Sequence, residues 1–174
     1  MLRIISPSTL DQWHLVKQLC STMWKKALGL VWKTRRMSYK IAIRVFQTNP
    51  NAFFHIVEHS CFTKCHWSKV DGEMILNMDN SGTSGTLRLL SDTGENFVVV
   101  LGVHNYKRWC DIVPDLKNDT GASLNPEYYD GGHRASQREK QRSSFQLDNA
   151  KGRKCEIKFI KDDGKDLQAN LIIG

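Results

Sequence analysis

The chain lacks any apolar run close to the ~20 residues that a membrane-spanning helix requires. It also lacks a secretory signal, because Arg3 is followed by Pro7 and Asp11 rather than by a continuous apolar segment and a small-residue cleavage site. The sequence contains five cysteines, an odd number, and no secretory signal precedes them. We therefore expect a reduced protein in the cytoplasm.

Motifs of common enzymes are also missing. The sequence contains no Gly-x-Ser-x-Gly elbow, no phosphate-binding loop and no His-Glu-x-x-His pair. Glu127 with Asp130 could be imagined as a glycosidase pair, but carboxylates this close in sequence on a polar segment are usually solvated. We therefore predict a protein without catalytic activity and without a cofactor.

Acidic residues are scarce in one part of the chain. Residues 1–37 contain seven Lys and Arg but only Asp11 as an acid, so they carry six of the seven net positive charges of the 174-residue chain. The remainder is almost neutral, which argues against nucleic acid as a partner, since phosphate backbones are held by clustered Lys and Arg. The length allows one full core. We predict a basic extension, residues 1–37, and one domain, residues 38–174.

The extension has the pattern of a basic amphipathic helix. From Leu10 to Trp32 apolar residues recur at helical spacing with lysines between them. Such a helix suits a membrane surface, so membrane contact through residues 1–37 stays open. A transit peptide has a similar composition, and a segment foreign to the natural protein is the third alternative.

The domain is predicted to be mainly β. Apolar residues recur at every second position over residues 41–46 and 155–160, and turn clusters such as Asp71-Gly72 separate further short runs. Apolar residues at helical spacing over 106–113 predict a helix with Asn105 as its N-cap. Regular short strands with such an insertion predict an antiparallel β-sandwich with a helix-loop-helix connection.

A second helical stretch is predicted within the polar part of that connection. Residues 135–141 have a weaker helical pattern, and residues 117–144 are polar enough to form a long surface loop.

Two segments are not explained by hydrophobic patterning. Residues 81–86 form a small, hydroxyl-rich block, and residues 102–113 present polar side chains where an apolar strand ends. Sugar recognition needs short hydrogen-bonding groups and close backbone approach, which Ser81, Gly82 and Asn105 could supply. The structural alternative is a β-turn and a helix cap. The residues alone leave both alternatives open.

These segments closely resemble motifs of the fungal fruit-body lectin family. The shared motifs are Ser-Gly-Thr-Ser-Gly at 81–85, His-Asn-Tyr at 104–106, Asn-Pro-Glu-Tyr-Tyr at 125–129 and Asn-Ala-Lys-Gly-Arg at 149–153. The resemblance covers about residues 38–174. It implies a β-sandwich similar to that of the sea-anemone pore-forming toxins, the actinoporin-like fold.

The resemblance also implies a sugar site. In the family, galactosyl-N-acetylgalactosamine is bound by the Ser and Gly of the first motif and the Asn of the second, which correspond to Ser81, Gly82 and Asn105. His104 and Tyr106 flank that Asn and are candidate walls of the site, although Tyr106 suits the core equally well.

The segment before Trp67 departs from the family pattern. Family members have an Ala-Asn-Gly-Gly loop there, and its Ala lines the sugar. Here the loop is shorter and reads Lys64-Cys65-His66, which places Cys65 at or near the Ala position. The departure affects the expected fine specificity more than binding itself.

Cys65 also belongs to a cluster with His59, Cys61 and His66 that is similar to a metal or haem-attachment motif. Haem attachment normally has two residues between the cysteines, and structural zinc usually draws on a second, distant ligand pair. No such pair is evident in the sequence, so we predict no metal site. Surface histidines and small apolar cysteines explain the cluster.

A second family site binds N-acetylglucosamine. Its Asp, Ile and Arg correspond to Asp111, Ile112 and Arg134, but its Thr and Tyr correspond to Pro114 and Phe145. Two hydroxyls are therefore missing, and we expect this site to be impaired.

The resemblance implies a non-catalytic lectin for galactosyl-N-acetylgalactosamine-type glycans and glycoproteins, with a defensive role and a homo-oligomeric assembly. Multivalency would strengthen weak single sites. The rival hypothesis is a membrane-active, pore-forming protein that uses residues 1–37.

Overall fold

The computed structural model of the protein describes residues 38–174, which form ten β-strands and three short helical elements. The strands are β1 (Tyr39–Gln47), β2 (Phe54–Phe62), β3 (Cys65–Val70), β4 (Glu73–Met78), β5 (Thr83–Ser91), β6 (Asn96–His104), β7 (Lys107–Pro114), β8 (Ser144–Asp148), β9 (Lys154–Lys161) and β10 (Asp166–Ile173). The helical elements are α1 (Gly121–Leu124), a 3₁₀ helix (Asn125–Tyr128) and α2 (Ala135–Glu139). The predictions for residues 1–37, the amphipathic helix and its membrane contact, lie outside the described residues.

Two sheets stack to form a sandwich. One has six strands in the order β3-β4-β1-β10-β9-β8, and the other has four in the order β2-β5-β6-β7. Apolar side chains that alternate along β1 and β10, such as Ile41, Ile43 and Leu171, fill the space between the sheets. This confirms the predicted β-sandwich, with one departure. The pairing of β1 with β10 is parallel, whereas all other strand pairs among the described residues are antiparallel.

A second apolar cluster lies on the outer face of the four-stranded sheet. Val98, Val100 and Trp109 from the sheet pack against Leu124 and Tyr128 of the helical connection. The Trp109 and Tyr128 rings lie 5.0 Å apart between centroids. This connection joins β7 to β8, so residues 117–144 form a partly helical cover rather than only the predicted surface loop.

The helix predicted over residues 106–113 is wrong, because this segment is β7. Its residues from Trp109 to Val113 are all buried, since one face contacts the other sheet and the opposite face lies under the helical connection. A strand buried on both faces has no alternation of polar and apolar residues, so its pattern is easily taken for a helix. The second predicted helix is confirmed as α2, which ends two residues earlier than predicted.

A buried ion pair ties the two sheets together near their ends. Glu95, in the turn between β5 and β6, accepts hydrogen bonds from Nε and Nη2 of Arg153 at 2.6 and 2.7 Å. Asn149 donates to the same carboxylate at 2.6 Å, and Arg153 also donates to the carbonyl of Gly174 at 3.2 Å. Asn149 and Arg153 are the ends of the Asn-Ala-Lys-Gly-Arg motif, which therefore has a structural role.

Candidate functional site

Two turns meet at one end of the sandwich. Residues 79–82 join β4 to β5, and Asn105 with Tyr106 joins β6 to β7. The backbone N–H of Tyr106 donates a hydrogen bond to the Ser81 hydroxyl at 3.0 Å, and the N–H of Gly82 donates to the Val103 carbonyl at 2.7 Å. The fold therefore brings Ser81 and Gly82 beside the turn that contains Asn105, although the two segments are distant in sequence.

The backbone at these turns is left-handed. Gly82 has a φ of 86°, and a Cβ added to it would find no heavy atom within 4 Å, so the turn is open on that side. Asn105 and Tyr106 have φ values of 48° and 64° and form a two-residue turn between the paired residues His104 and Lys107. Positive φ at both central residues is typical of a type I′ hairpin turn, which Asn favours at its first position. Asn105 is therefore a hairpin residue and not the predicted helix cap.

Tyr106 has an unfavourable backbone conformation that is not offset by burial of its side chain. The residue is 71% exposed, so the alternative that it belongs to the core is wrong. A bulky residue with positive φ is uncommon, and such strained residues cluster at binding sites. Asn105 is exposed as well, and none of the hydrogen bonds within residues 38–174 uses its side-chain amide. An apolar ring and a free amide are thus adjacent at the surface.

His104 is held by the helical connection. Its Nε2 lies 3.0 Å from Oε1 of Glu139 on α2, and its carbonyl accepts a hydrogen bond from Gln141 Nε2 at 2.9 Å. A hydrogen bond from Arg138 lowers the pKa of Glu139, which favours the charged carboxylate beside the imidazole. His104 therefore fixes the hairpin against α2, and its Nε2 is already engaged.

Cys65 lies at the base of the β4–β5 loop. It pairs with Met78, the last residue of β4, and its thiol donates to the carbonyl of Ser84 at 3.3 Å. The backbone N–H of Asp79 donates to the Lys64 carbonyl at 3.0 Å, which closes the loop at this point. Cys65 is half-buried and supports the backbone that leads to Ser81.

A buried polar network around Ser84 was not predicted from the sequence. The Ser84 hydroxyl donates to Asn125 Oδ1 at 2.6 Å and accepts a hydrogen bond from the Tyr129 hydroxyl at 2.8 Å. Burial raises the pKa of Tyr129 to about 12, so this phenol stays protonated. Phe62 stacks on the Tyr129 ring at 3.6 Å between centroids. The network fixes the 3₁₀ helix to β5, and the Asn-Pro-Glu-Tyr-Tyr motif is its signal in the sequence.

The second predicted site contains a buried carboxylate, and of its other residues Arg134 lies beside it. Asp111 is 2% exposed and accepts a hydrogen bond from the Tyr128 hydroxyl at 2.7 Å. Arg134 Nη1 lies 3.7 Å from Asp111 Oδ2, and Arg142 Nη1 lies 4.0 Å from Oδ1. Burial raises the pKa of Asp111, although Tyr128, the Ile112 amide and both arginines oppose that rise. The carboxylate is thus already well supplied with donors.

The other members of this site are arranged less favourably for a sugar. The Ile112 side chain is in the core between the sheets, so only its backbone N–H reaches the Asp111 carboxylate. Arg142 covers the Phe145 ring, with its guanidinium carbon 4.6 Å from the ring centroid. Pro114 ends β7 opposite Phe97 and has no N–H to donate.

The predicted histidine and cysteine cluster is divided between surfaces. His59 and Trp67 line a cleft of about 520 Å³ between the free edges of the two sheets, whereas His66 lies in a different depression beside Tyr39. Among residues 38–174, no group of three or more His, Cys, Asp or Glu side chains is arranged to hold a metal ion. In the same part of the chain, no helix is long and apolar enough to cross a membrane.

The chain is similar in sequence to known lectins. The model of the family described as fungal fruit body lectin matches residues 37–171. The Boletus edulis lectin is 46% identical over 141 residues, which cover 78% of this chain and 99% of that lectin.

Solved structures agree in fold. The crystal structure of the wild-type Xerocomus chrysenteron lectin is 44% identical, covers 79% of this chain and 100% of its own, and superposes with a TM-score of 0.77. The lipid-binding protein Nakanori is only 7% identical but shares the fold, with a TM-score of 0.54 over 99% of this chain and 89% of its own. The motifs, the sandwich and these relatives together show that the chain belongs to the fungal fruit body lectin family and is a carbohydrate-binding protein without catalytic activity.

Proposed function

We propose that this lectin binds galactosyl-N-acetylgalactosamine-type glycans through Ser81, Gly82 and Asn105. The observation that carries the proposal is the 3.0 Å hydrogen bond from the Tyr106 amide to the Ser81 hydroxyl, which joins the two turns that hold these residues. The residue types also match the sugar-binding pattern of the family at all three positions.

The three residues would have different tasks. The Asn105 amide can donate and accept at once, and the Ser81 hydroxyl keeps its own hydrogen free while it accepts from Tyr106. Gly82 lets a sugar ring approach the backbone, because no side chain occupies that space. The exposed Tyr106 ring offers an apolar face for the sugar. Cys65 and His104 would shape the walls of the site.

Such a site is shallow and should be weak by itself. Each hydrogen bond to a neutral group contributes on the order of 1 kcal/mol net, so a few contacts give a modest affinity. A homo-oligomer that presents several sites to one glycoprotein would increase the apparent affinity through effective concentration. We propose this arrangement for a cytoplasmic, defensive lectin that meets glycans when the producing tissue is eaten.

The second site is proposed to bind N-acetylglucosamine poorly. Asp111 is buried and already bound by Tyr128, while Pro114 and Phe145 lack the two hydroxyls of the family pattern. A sugar placed there would lose water without gaining equivalent hydrogen bonds.

A glycan array probed with the full-length protein tests the proposed specificity. We expect the strongest signals from glycans that end in galactosyl-N-acetylgalactosamine and much weaker signals from N-acetylglucosamine. Matched glycans that differ only in the terminal galactose provide the control. Equal binding to both classes, or binding only to N-acetylglucosamine, would contradict the proposal.

A further inference from the structure

Cys61 and Cys65 lie on either side of the short bend that joins β2 to β3. Cys61 pairs with Gly85 across the β2–β5 ladder. The Cys65 sulfur lies 3.3 Å from the carbonyl oxygen of Ser84. Both cysteines therefore border the same peptide unit of β5, the one that links Ser84 to Gly85.

The two cysteines differ in exposure and in pKa. Cys61 is exposed, whereas Cys65 is half-buried. The Cys65 thiol can turn its single hydrogen from the Ser84 carbonyl to the Cys61 sulfur, and this interaction lowers the pKa of Cys61 and raises the pKa of Cys65. Burial raises the pKa of Cys110 and of Cys155 to about 12, so these two thiols stay protonated and unreactive. Among the described cysteines, Cys61 is the one that is exposed and has a lowered pKa, and Cys65 lies across the short bend from it.

We propose that Cys61 and Cys65 form a redox-modification site that reacts with small disulfides such as oxidised glutathione and closes to a reversible intramolecular disulfide. The Cys61 thiolate attacks one sulfur of the oxidised glutathione, a mixed disulfide forms, and one glutathione thiolate leaves. Cys65 then gives up its proton to solvent and attacks the Cys61 sulfur, which releases the second glutathione. The cysteine pair loses two electrons, and the glutathione disulfide gains them.

The disulfide would also change the sugar site, an effect that rests on the proposed function. Bonded to Cys61, the Cys65 sulfur can no longer donate a hydrogen to the Ser84 carbonyl. That carbonyl follows Ser81 and Gly82 closely in the chain, and the Ser84 hydroxyl belongs to the network with Asn125 and Tyr129. Oxidation should therefore loosen the backbone that positions Ser81 and lower the affinity for galactosyl-N-acetylgalactosamine several-fold.

The experiment uses the full-length chain with Cys20→Ser, which removes the cysteine outside the described residues. The protein is incubated with oxidised glutathione, and intact mass and free thiols are measured before and after reduction. We expect the loss of two thiols with no retained glutathione. Cys65→Ser should retain one glutathione on Cys61, because the serine hydroxyl can keep the hydrogen bond to Cys61 but cannot resolve the mixed disulfide. The variants Cys65→Ala and Cys61→Ser should react with oxidised glutathione at about one tenth of the unmodified rate or more slowly.

Retention of glutathione by the protein with both cysteines, or disulfide-linked chains in place of an intramolecular bond, would overturn the proposal. Equal reaction rates of the Cys61→Ser and Cys65→Ser variants would also overturn it. The sugar affinity of the oxidised and the re-reduced protein is then compared by calorimetry. Unchanged affinity after disulfide formation would refute only the link to the sugar site, and absent binding in both states would refute the proposed function while the thiol result stands.

Discussion

Replacing Glu95 by Gln should destabilise the fold strongly and change its response to acid. The glutamine keeps the shape of the side chain but removes its charge, so the Arg153 guanidinium, whose side chain is 9% exposed, loses its counter-ion. Removing one partner of a buried pair usually costs about 3–5 kcal/mol, because the remaining charge stays buried without compensation. We expect a loss of about 3 kcal/mol in the free energy of unfolding at neutral pH.

The pH dependence follows from the pKa of Glu95, which hydrogen bonds from Arg153 hold at about 2, below the ordinary value of 4.5. A carboxyl with a lowered pKa stabilises the fold fully above its unfolded pKa, and this stabilisation is lost as the pH falls toward the folded pKa. Between neutral pH and about pH 3, the difference between the wild type and Glu95→Gln should therefore shrink by about 2 kcal/mol.

Urea unfolding at both pH values, followed by intrinsic fluorescence, measures this difference. Asp119→Asn is the matched control, because this carboxylate is exposed and should change stability little at either pH. A Glu95→Gln variant as stable as the wild type at neutral pH, or a difference that does not shrink in acid, would show that the charge of Glu95 does not stabilise the fold through Arg153.

Three further predictions concern binding. The double variant Phe145→Tyr with Pro114→Thr should bind N-acetylglucosamine roughly tenfold to a hundredfold more tightly, since two hydrogen bonds of ~1 kcal/mol each become available. Tight N-acetylglucosamine binding by the wild type would contradict this prediction. Tyr106→Ala should weaken galactosyl-N-acetylgalactosamine binding in calorimetry and leave the melting temperature nearly unchanged, because this residue is 71% exposed. A large loss of stability would show a structural role instead. Deletion of residues 1–37 should abolish most binding to anionic vesicles, because this segment carries six of the seven net positive charges. The deletion should leave the sugar affinity unchanged. Loss of sugar binding in a folded truncated protein would place the segment in the site.

The fold was predictable where one face of a strand is buried and the other is exposed. Apolar residues stand at every second position over residues 41–46, and these residues form part of β1. Residues 109–113 show no alternation of apolar and polar side chains, because β7 is covered on both faces. The helix predicted there is therefore wrong. The parallel pairing of β1 with β10 joins residues near opposite ends of the domain, and no local pattern specifies such a contact.

The candidate site was predictable as a set of residues but not as an arrangement. The Ser-Gly and His-Asn-Tyr motifs indicated Ser81, Gly82 and Asn105, yet only the fold shows that the Tyr106 amide binds Ser81. The network of Ser84 with Tyr129 depends on contacts between residues far apart in sequence. Motifs indicate which residues could carry the chemistry, and long-range packing determines which of them lie together.

The most direct test of the proposed sugar site is a calorimetric titration of galactosyl-N-acetylgalactosamine into the wild type, Asn105→Ala and Ser81→Ala. The wild type should bind saturably, and each variant should lose about 1 kcal/mol or more of binding free energy, with unfolding curves that show an intact domain. Affinity unchanged in both variants would contradict the assignment of the site to these two turns.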